Sequence, residues 1–187
     1  MNRFLPLVLA SALPFSALAA DTYTLDPVHT NPSFEVAHMG FSIQRGRFTK
    51  VTGTAVLDMA AKSGSIGVVI DAASVDTLND KTVAHLKSEE FLFVEKYPTI
   101  TFKSDKLKFD GDKLVGADGD LTIRGVTKPV SLAVLNFKCG AHPFSNKAMC
   151  GANATTTIKR SDFGVMYGLP AIGDELTINI PIEAYKS

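Results

Sequence analysis

Apolar and polar residues alternate with a period of two along most of the chain beyond residue 30. That period marks half-buried β-strands, whose successive side chains point to opposite faces of a sheet. The first series places Pro32, Phe34, Val36 and His38 on one face and Ser33, Glu35 and Ala37 on the other. Val51, Gly53, Ala55 and Leu57 make the second, and Ile66, Val68 and Ile70 the third. Ile100 and Phe102 begin the fourth, and Val115, Ala117, Gly119, Leu121 and Ile123 make the fifth. Val130, Leu132 and Val134 are the sixth. Ala152, Ala154, Thr156 and Ile158 form a less apolar seventh, and Leu176, Ile178, Ile180 and Ile182 the eighth. Asp110-Gly111-Asp112 has the composition of a tight hairpin turn. Residues 79–95 break the alternation. Val83, Leu86, Glu90 and Phe91 recur there at helical spacing, without Gly or Pro. One or two short helices are expected, capped by Asn79 or Asp80 and ended by Pro98.

Eight mostly antiparallel strands without a linker or internal repeat predict one all-β domain, a closed barrel or a sandwich. Closure would remove exposed strand edges. A barrel of eight strands is just wide enough to be filled by side chains or to hold one slender ligand. Gly53, Ala55, Ala117, Gly119, Ala152 and Ala154 share the alternation of the large apolar residues. Two readings of these small residues stay open: they leave a channel, or they relieve crowding at bends.

Composition narrows the class. Of 187 residues, 45% are hydrophobic and 20% charged, which gives a core and excludes disorder. The 19 basic and 19 acidic residues balance, so a large basic surface for nucleic acid is not expected. Arg3, the apolar run Phe4 to Leu13, Pro14 and the small residues around Ala17-Leu18-Ala19 read as a secretory signal. The run is too short for a membrane span, which takes about 20 apolar residues. Residues 1–19 are therefore expected to be cleaved, leaving 20–187 as an exported, periplasmic domain. Export makes a disulfide the simplest reading of Cys139 and Cys150, whose spacing is not Cys-x-x-Cys. Closing so short a loop contributes about 3 kcal/mol at most.

Catalytic and metal chemistry find little support. His29, His38 and His85 have no recognisable metal-ligand spacing, and no metal or required cofactor is expected. Ser88 lies close to His85 but lacks a nucleophile elbow, and phosphate-binding and dinucleotide-binding loops are absent, so no catalytic residue is assigned. Arg45 and Arg47 flank Gly46 and read as a solvated face that also has the chemistry to meet an anionic group.

An ordered set of blocks then carries a family likeness. It comprises Tyr23-Thr24-Leu25-Asp26, His29, Phe34 to Gly40, Gly46-Arg47-Phe48, Gly53 and Ile70 to Thr77. His85-Leu86-Lys87-Ser88, Phe91 and Tyr97 to Phe102 follow. The most specific block is Gly119 to Thr127, and Ser161 to Gly164 and Gly173-Asp174-Glu175 close the set. In these blocks the chain resembles the YceI-like family of lipid- or polyisoprenoid-binding periplasmic proteins. It departs from the family pattern at Thr82 and Val83, where an Arg-Asp pair is common, and at Pro32. The resemblance implies a lipocalin-like, eight-stranded antiparallel barrel with a short helical insert. It also implies an elongated pore for a long amphiphile, a polyprenyl lipid or isoprenoid quinone. A water-insoluble cargo adds a transient contact with a membrane or membrane protein to the expected partners. The wall residues expected for such a pore are Phe34, Val36, Phe48, Val68, Ile70, Leu86, Phe91, Phe102, Leu121, Ile123, Phe163 and Ile178. Phe41, Met166 and Tyr167 are expected at its mouth, with His38 on the apolar face of the first long strand. The competing reading is a secreted stress-related or partner-binding protein whose pore is incidental.

Overall fold

A computed structural model describes residues 20–187; the expected export signal, residues 1–19, lies outside the described residues. The strands are β1 (Asp21–Leu25), β2 (Ser33–His38), β3 (Ser42–Phe48), β4 (Val51–Asp58), β5 (Ser63–Asp71) and β6 (Val75–Asp76). After α1 (Asp80–Lys87) come β7 (Thr99–Asp110), β8 (Lys113–Ile123), β9 (Val126–Ala141), β10 (Ala148–Lys159) and β11 (Ile172–Lys186). All pair antiparallel in one sheet. Pairing of β1 with β11 closes β1, β4, β5, β7, β8, β9, β10 and β11 into an eight-stranded barrel.

β11 is long enough to serve two partners. Its end, Ala184–Lys186, pairs with β1, whereas Leu176–Asn179 pairs with β2. β2 carries β3, and β3 carries β6. These three strands extend one wall beyond the closed girdle, and α1 packs against β6 at that end. The expected number of barrel strands is right, but one member differs. The Phe34 series lies in the flared wall, and β1 takes its place in the girdle. β1 is only five residues long, with buried Tyr23 and Leu25 alternating with exposed Thr22 and Thr24. β3 carries Gln44, Arg45 and Arg47 because most of its length is exposed, so it lacks an apolar face to read.

The helical insert is a single helix. The Asn79 side chain caps it, accepting from the Thr82 N–H at 3.0 Å. Residues 88–97 continue as turns, with Phe91 N–H donating to Ser88 O and Leu92 N–H to Leu86 O. At the predicted hairpin, Asp110 pairs with Lys113, and Gly111 takes the left-handed φ of 57° that the turn requires.

The small residues divide between the two readings. A Cβ on Gly53 would collide with the Gly67 carbonyl, and one on Gly119 would meet the Phe102 ring at 2.7 Å. These glycines allow close approach. Ala55, Ala117, Ala152 and Ala154 instead line open space inside the barrel. The end remote from α1 is closed by a cluster that includes Tyr23, Leu57, Cys150 and Ala184. Cys139 and Cys150 are direct partners across β9 and β10, 4.0 Å apart at Cα, and form a disulfide there. No helix among the described residues is long and apolar enough to cross a membrane.

Candidate functional site

Three apolar chambers lie in succession inside the barrel and share wall residues. The chamber beneath α1 has a volume of about 110 Å³ and is walled by Val36, Leu86, Phe91, Phe163, Ile172 and Leu176, among others. Phe34, Phe48, Ile100, Ile123, Ile158 and Ile178 also line the central chamber of about 170 Å³. Leu25, Ala55, Ile66, Leu132 and Ile182 in turn border a terminal chamber of about 70 Å³. Tyr23, Leu57, Leu114 and Phe137 line this last space. Together the chambers outline a tunnel that runs from beneath α1 toward the packed cluster at the far end of the barrel.

The strand pattern explains the lining. Residues two apart on β2, β5, β8, β10 and β11 face inward, so each strand contributes a ladder of apolar side chains. Polar residues on the central wall bond to the backbone beside them, Ser33 Oγ–H donating to Asn179 O at 3.3 Å. Thr30 likewise donates to the Glu183 carbonyl at 3.1 Å. Among the described residues, no buried side-chain nitrogen or oxygen lacks a partner. The interior therefore offers a ligand contact and shape, with no orphaned polar group to recognise a buried head group. The central chamber exceeds the roughly 150 Å³ of an apolar cavity known to stay dry and admit benzene. At about 24 cal/mol per Å³, that space left empty forfeits about 4 kcal/mol of packing.

The tunnel opens into a mouth of about 550 Å³ between the β2–β3 hairpin and α1. Here the lining turns polar: His38, Gln44, Arg45, Asn79, Lys81, Thr82 and His85 surround the rims of Phe34, Val36, Leu86 and Phe91. His85 is wedged between aromatic rings, its centroid 4.8 Å from Phe91 and 5.0 Å from Tyr167, both edge-on. It is also hydrogen-bonded to Glu90. Arg45 Nε donates to Glu35 Oε1 at 2.9 Å, and Arg47 pairs with Asp76 at 3.3 Å.

Two arginines hold the mouth in shape. Arg160, only 4% exposed, borders the first chamber. Its Nε donates to Gly173 O at 2.7 Å, and its Nη1 to Val165 O at 3.0 Å and Tyr167 O at 2.9 Å. Nη2 donates to Ile172 O at 2.8 Å. These carbonyls belong to the loop between β10 and β11 and to the first two residues of β11, and one planar fork satisfies all four. Burial pulls the guanidinium below its ordinary value, and the nearby Asp174 charge opposes that shift. Asp174 accepts from Ser161 N–H at 2.9 Å and Ser161 Oγ–H at 2.7 Å, which holds its carboxyl below the usual range. Arg124 sits in the two-residue turn between β8 and β9, with φ of 51°, and donates to Phe91 O at 2.7 Å. It ties the segment after α1 to the barrel.

The structure gathers most of the sequence-selected residues. Phe34, Val36, Phe48, Val68, Ile70, Leu86, Phe91, Phe102, Leu121, Ile123, Phe163 and Ile178 all border the chambers. His38 lies at the mouth, and Tyr167 packs over His85. Phe41 and Met166 lie outside the lining: they project from loops, 92% and 59% exposed. His29 does not join His38 and His85. Its Nδ1 bonds to Asp26 at 2.6 Å and lies 3.7 Å from Glu183. That contact raises the His29 pKa and lowers that of Asp26. Ile158, Ile180 and Ile182 belong to the wall although only their strand membership was read from sequence. Arg124 and Arg160 gave no such signal, because an arginine that binds carbonyls looks like a surface arginine.

Comparison with known proteins agrees with this architecture. Residues 23–184 match the YceI-like domain. A UPF0312 protein of Ectopseudomonas mendocina is 33% identical over 188 aligned positions, covering 99% of this chain and 98% of that one. Protein YceI of Escherichia coli O157:H7 is 37% identical over 174 residues, 91% of this chain and 90% of its own. Among solved structures, Burkholderia cenocepacia BcnA superposes with a TM-score of 0.72 at 24% identity, covering 85% of this chain and 98% of BcnA. A Campylobacter jejuni YceI protein superposes at 0.68 with 27% identity, covering 81% and 90%. A domain from Saccharophagus degradans described as polyisoprenoid-binding superposes at 0.64 with 16% identity, covering 88% and 98%. With the match spanning nearly all of the barrel, the chain belongs to the YceI-like domain family.

Proposed function

We propose that the protein is a binding and carrier protein that holds one long isoprenoid lipid, a polyprenyl lipid or an isoprenoid quinone, in its barrel. The observation that carries this reading is the tunnel of three successive apolar chambers with a polar mouth. A slender hydrocarbon chain fits such a space, and each buried methylene contributes about 0.8 kcal/mol. Chain ordering offsets much of that gain, so chain length and fit at the blind end set selectivity. The polar mouth receives the head group. His38, Gln44, Arg45 and His85 supply donors and acceptors there. The similarly folded Saccharophagus degradans domain, described as polyisoprenoid-binding, supports the ligand class. The role is binding and release without turnover. The signal-like residues 1–19 and the disulfide favour work in the periplasm, with 20–187 as the mature domain.

Titration of the delipidated protein with a solubilised isoprenoid quinone tests the proposal. Saturation at one ligand per chain, with no response to the same head group lacking its prenyl tail, is the expected result. Equal binding of the tailless head group, or none of either, overturns it.

A further inference from the structure

The mouth is bordered by apolar side chains that cover nothing. The β2–β3 hairpin ends in Met39-Gly40-Phe41, with Phe41 92% exposed and Met39 also exposed. Met166 projects from the β10–β11 loop, which the hairpin joins through Met39 N–H donating to Ala171 O at 2.7 Å. On the opposite lip, Leu78 precedes the mouth residue Asn79 and is 91% exposed. Met39 and Leu78 both adopt left-handed backbone, with φ of 54° and 61°. That conformation favours Gly, Asn or Asp. At both positions an apolar residue is thus presented to solvent on backbone that a polar residue occupies more easily.

From this geometry we propose that the mouth docks on a lipid bilayer, inserting the Met39–Phe41 tip and Met166 on one lip and Leu78 on the other. The proposal deepens the lipid-carrier reading, on which it rests for its purpose. Three features favour a bilayer over a folded partner. The apolar groups sit on separate projecting loops, and a fluid hydrocarbon surface accepts such points without shape complementarity. Of the basic side chains lining the mouth, Arg45 pairs with Glu35 and His85 bonds to Glu90, which leaves Lys81 and His38 without an ion pair among the described residues, too little for a basic patch seeking an anionic partner. The apolar lip is also continuous with the tunnel through Val36 and Ile172, which follow His38 and Ala171 into the first chamber. A lipid leaving the tunnel at a docked mouth passes from one apolar medium to another without crossing water.

Flotation of the mature protein with neutral phosphatidylcholine vesicles free of prenyl lipid tests the docking alone. The protein is expected to float with the vesicles and to remain bound when salt is raised from about 0.15 M to about 1 M, because apolar insertion is not screened. The double variant Met39→Asn, Phe41→Ser keeps a residue suited to left-handed backbone. It is expected to lower partitioning by about tenfold or more at unchanged thermal midpoint. Phe144→Ser removes an equally exposed ring, 95% accessible, on the β9–β10 turn at the other end of the barrel, and is expected to change nothing. Absence of flotation, loss of binding in high salt, equal loss in Phe144→Ser, or full binding by the double variant each overturns the proposal. So does a dimer, seen by light scattering, that the double variant dissolves while vesicles capture neither form. Quinone affinity measured in detergent solution separates the two claims. A protein that floats without binding quinone sinks the carrier reading, and one that binds quinone without floating sinks the docking.

Discussion

Ala55 borders both the central and the terminal chamber, so a larger side chain there closes the tunnel before its blind end. In Ala55→Leu the terminal space of about 70 Å³ is lost to a ligand. At about 24 cal/mol per Å³, the contacts forfeited by a chain long enough to reach that space come to about 1.7 kcal/mol. That corresponds to a roughly twentyfold weaker Kd for the long ligand. A shorter homologue that stops in the central chamber keeps its affinity. The unliganded variant is stabilised as well, because leucine fills part of an existing void. If strain outweighs that gain, Ala55→Val supplies a milder block with less overpacking. Competition titrations with isoprenoid quinones differing only in tail length, alongside thermal unfolding of the ligand-free proteins, read both effects. Equal weakening of long and short tails, or undiminished binding of the long tail by a folded variant, refutes the assignment of the blind end.

Further outcomes follow from the groups around the tunnel. Arg160→Met leaves the carbonyls of Gly173, Val165, Tyr167 and Ile172 without their donor. It is expected to cost about 3 kcal/mol or more in urea unfolding, and Arg160→Lys does not restore it because an ammonium lacks the planar fork. Replacing Cys139 and Cys150 together by Ala removes a cross-strand link and lowers stability by about 3 kcal/mol at most, an effect that reducing agent reproduces in the parent protein alone. Asp174 has its folded-state pKa lowered, chiefly by the Ser161 N–H. Its contribution is present above the unfolded value of about 3.9 and is lost as pH falls through the lower folded value. Asp174→Asn should therefore be less stable at neutral pH, with a shallower acid limb, in pH-dependent urea titrations. His29 runs the other way: its pKa is raised by Asp26, so its contribution is complete below about 6.5 and fades as pH rises through the higher folded value. Asp26→Asn should flatten that alkaline decline.

The barrel is legible because its strands alternate cleanly against an apolar interior. Phe34, Ile70, Phe102, Leu121, Ile123 and Ile178 were recoverable as wall because an inward position in a tunnel and one in a filled core demand the same residue types. Whether that wall enclosed space was not recoverable from alternation. The alanines settle it only in three dimensions, where Ala55, Ala117 and Ala154 face the terminal chamber while Gly53 and Gly119 serve close backbone approach. The mouth was least legible. β3 is exposed over most of its length and shows no apolar face, and β1 is short. Arg160 is buried among backbone carbonyls, an environment set by the loop's path and not by neighbours in sequence. Phe41 and Met166, expected at the mouth, lie outside its lining and project into solvent, since a loop tip has no periodicity to fix direction.

The central claim is that the barrel holds an isoprenoid lipid, and organic extraction of the native protein tests it most directly. The protein would be purified from the cells that make it, extracted and examined by mass spectrometry beside an unrelated protein of the same cell fraction handled identically. One polyprenyl lipid or isoprenoid quinone per chain, absent from the control, is the predicted result. A ligand-free extract from a protein that also refuses added prenyl lipids would contradict it and leave the apolar tunnel without the cargo proposed for it.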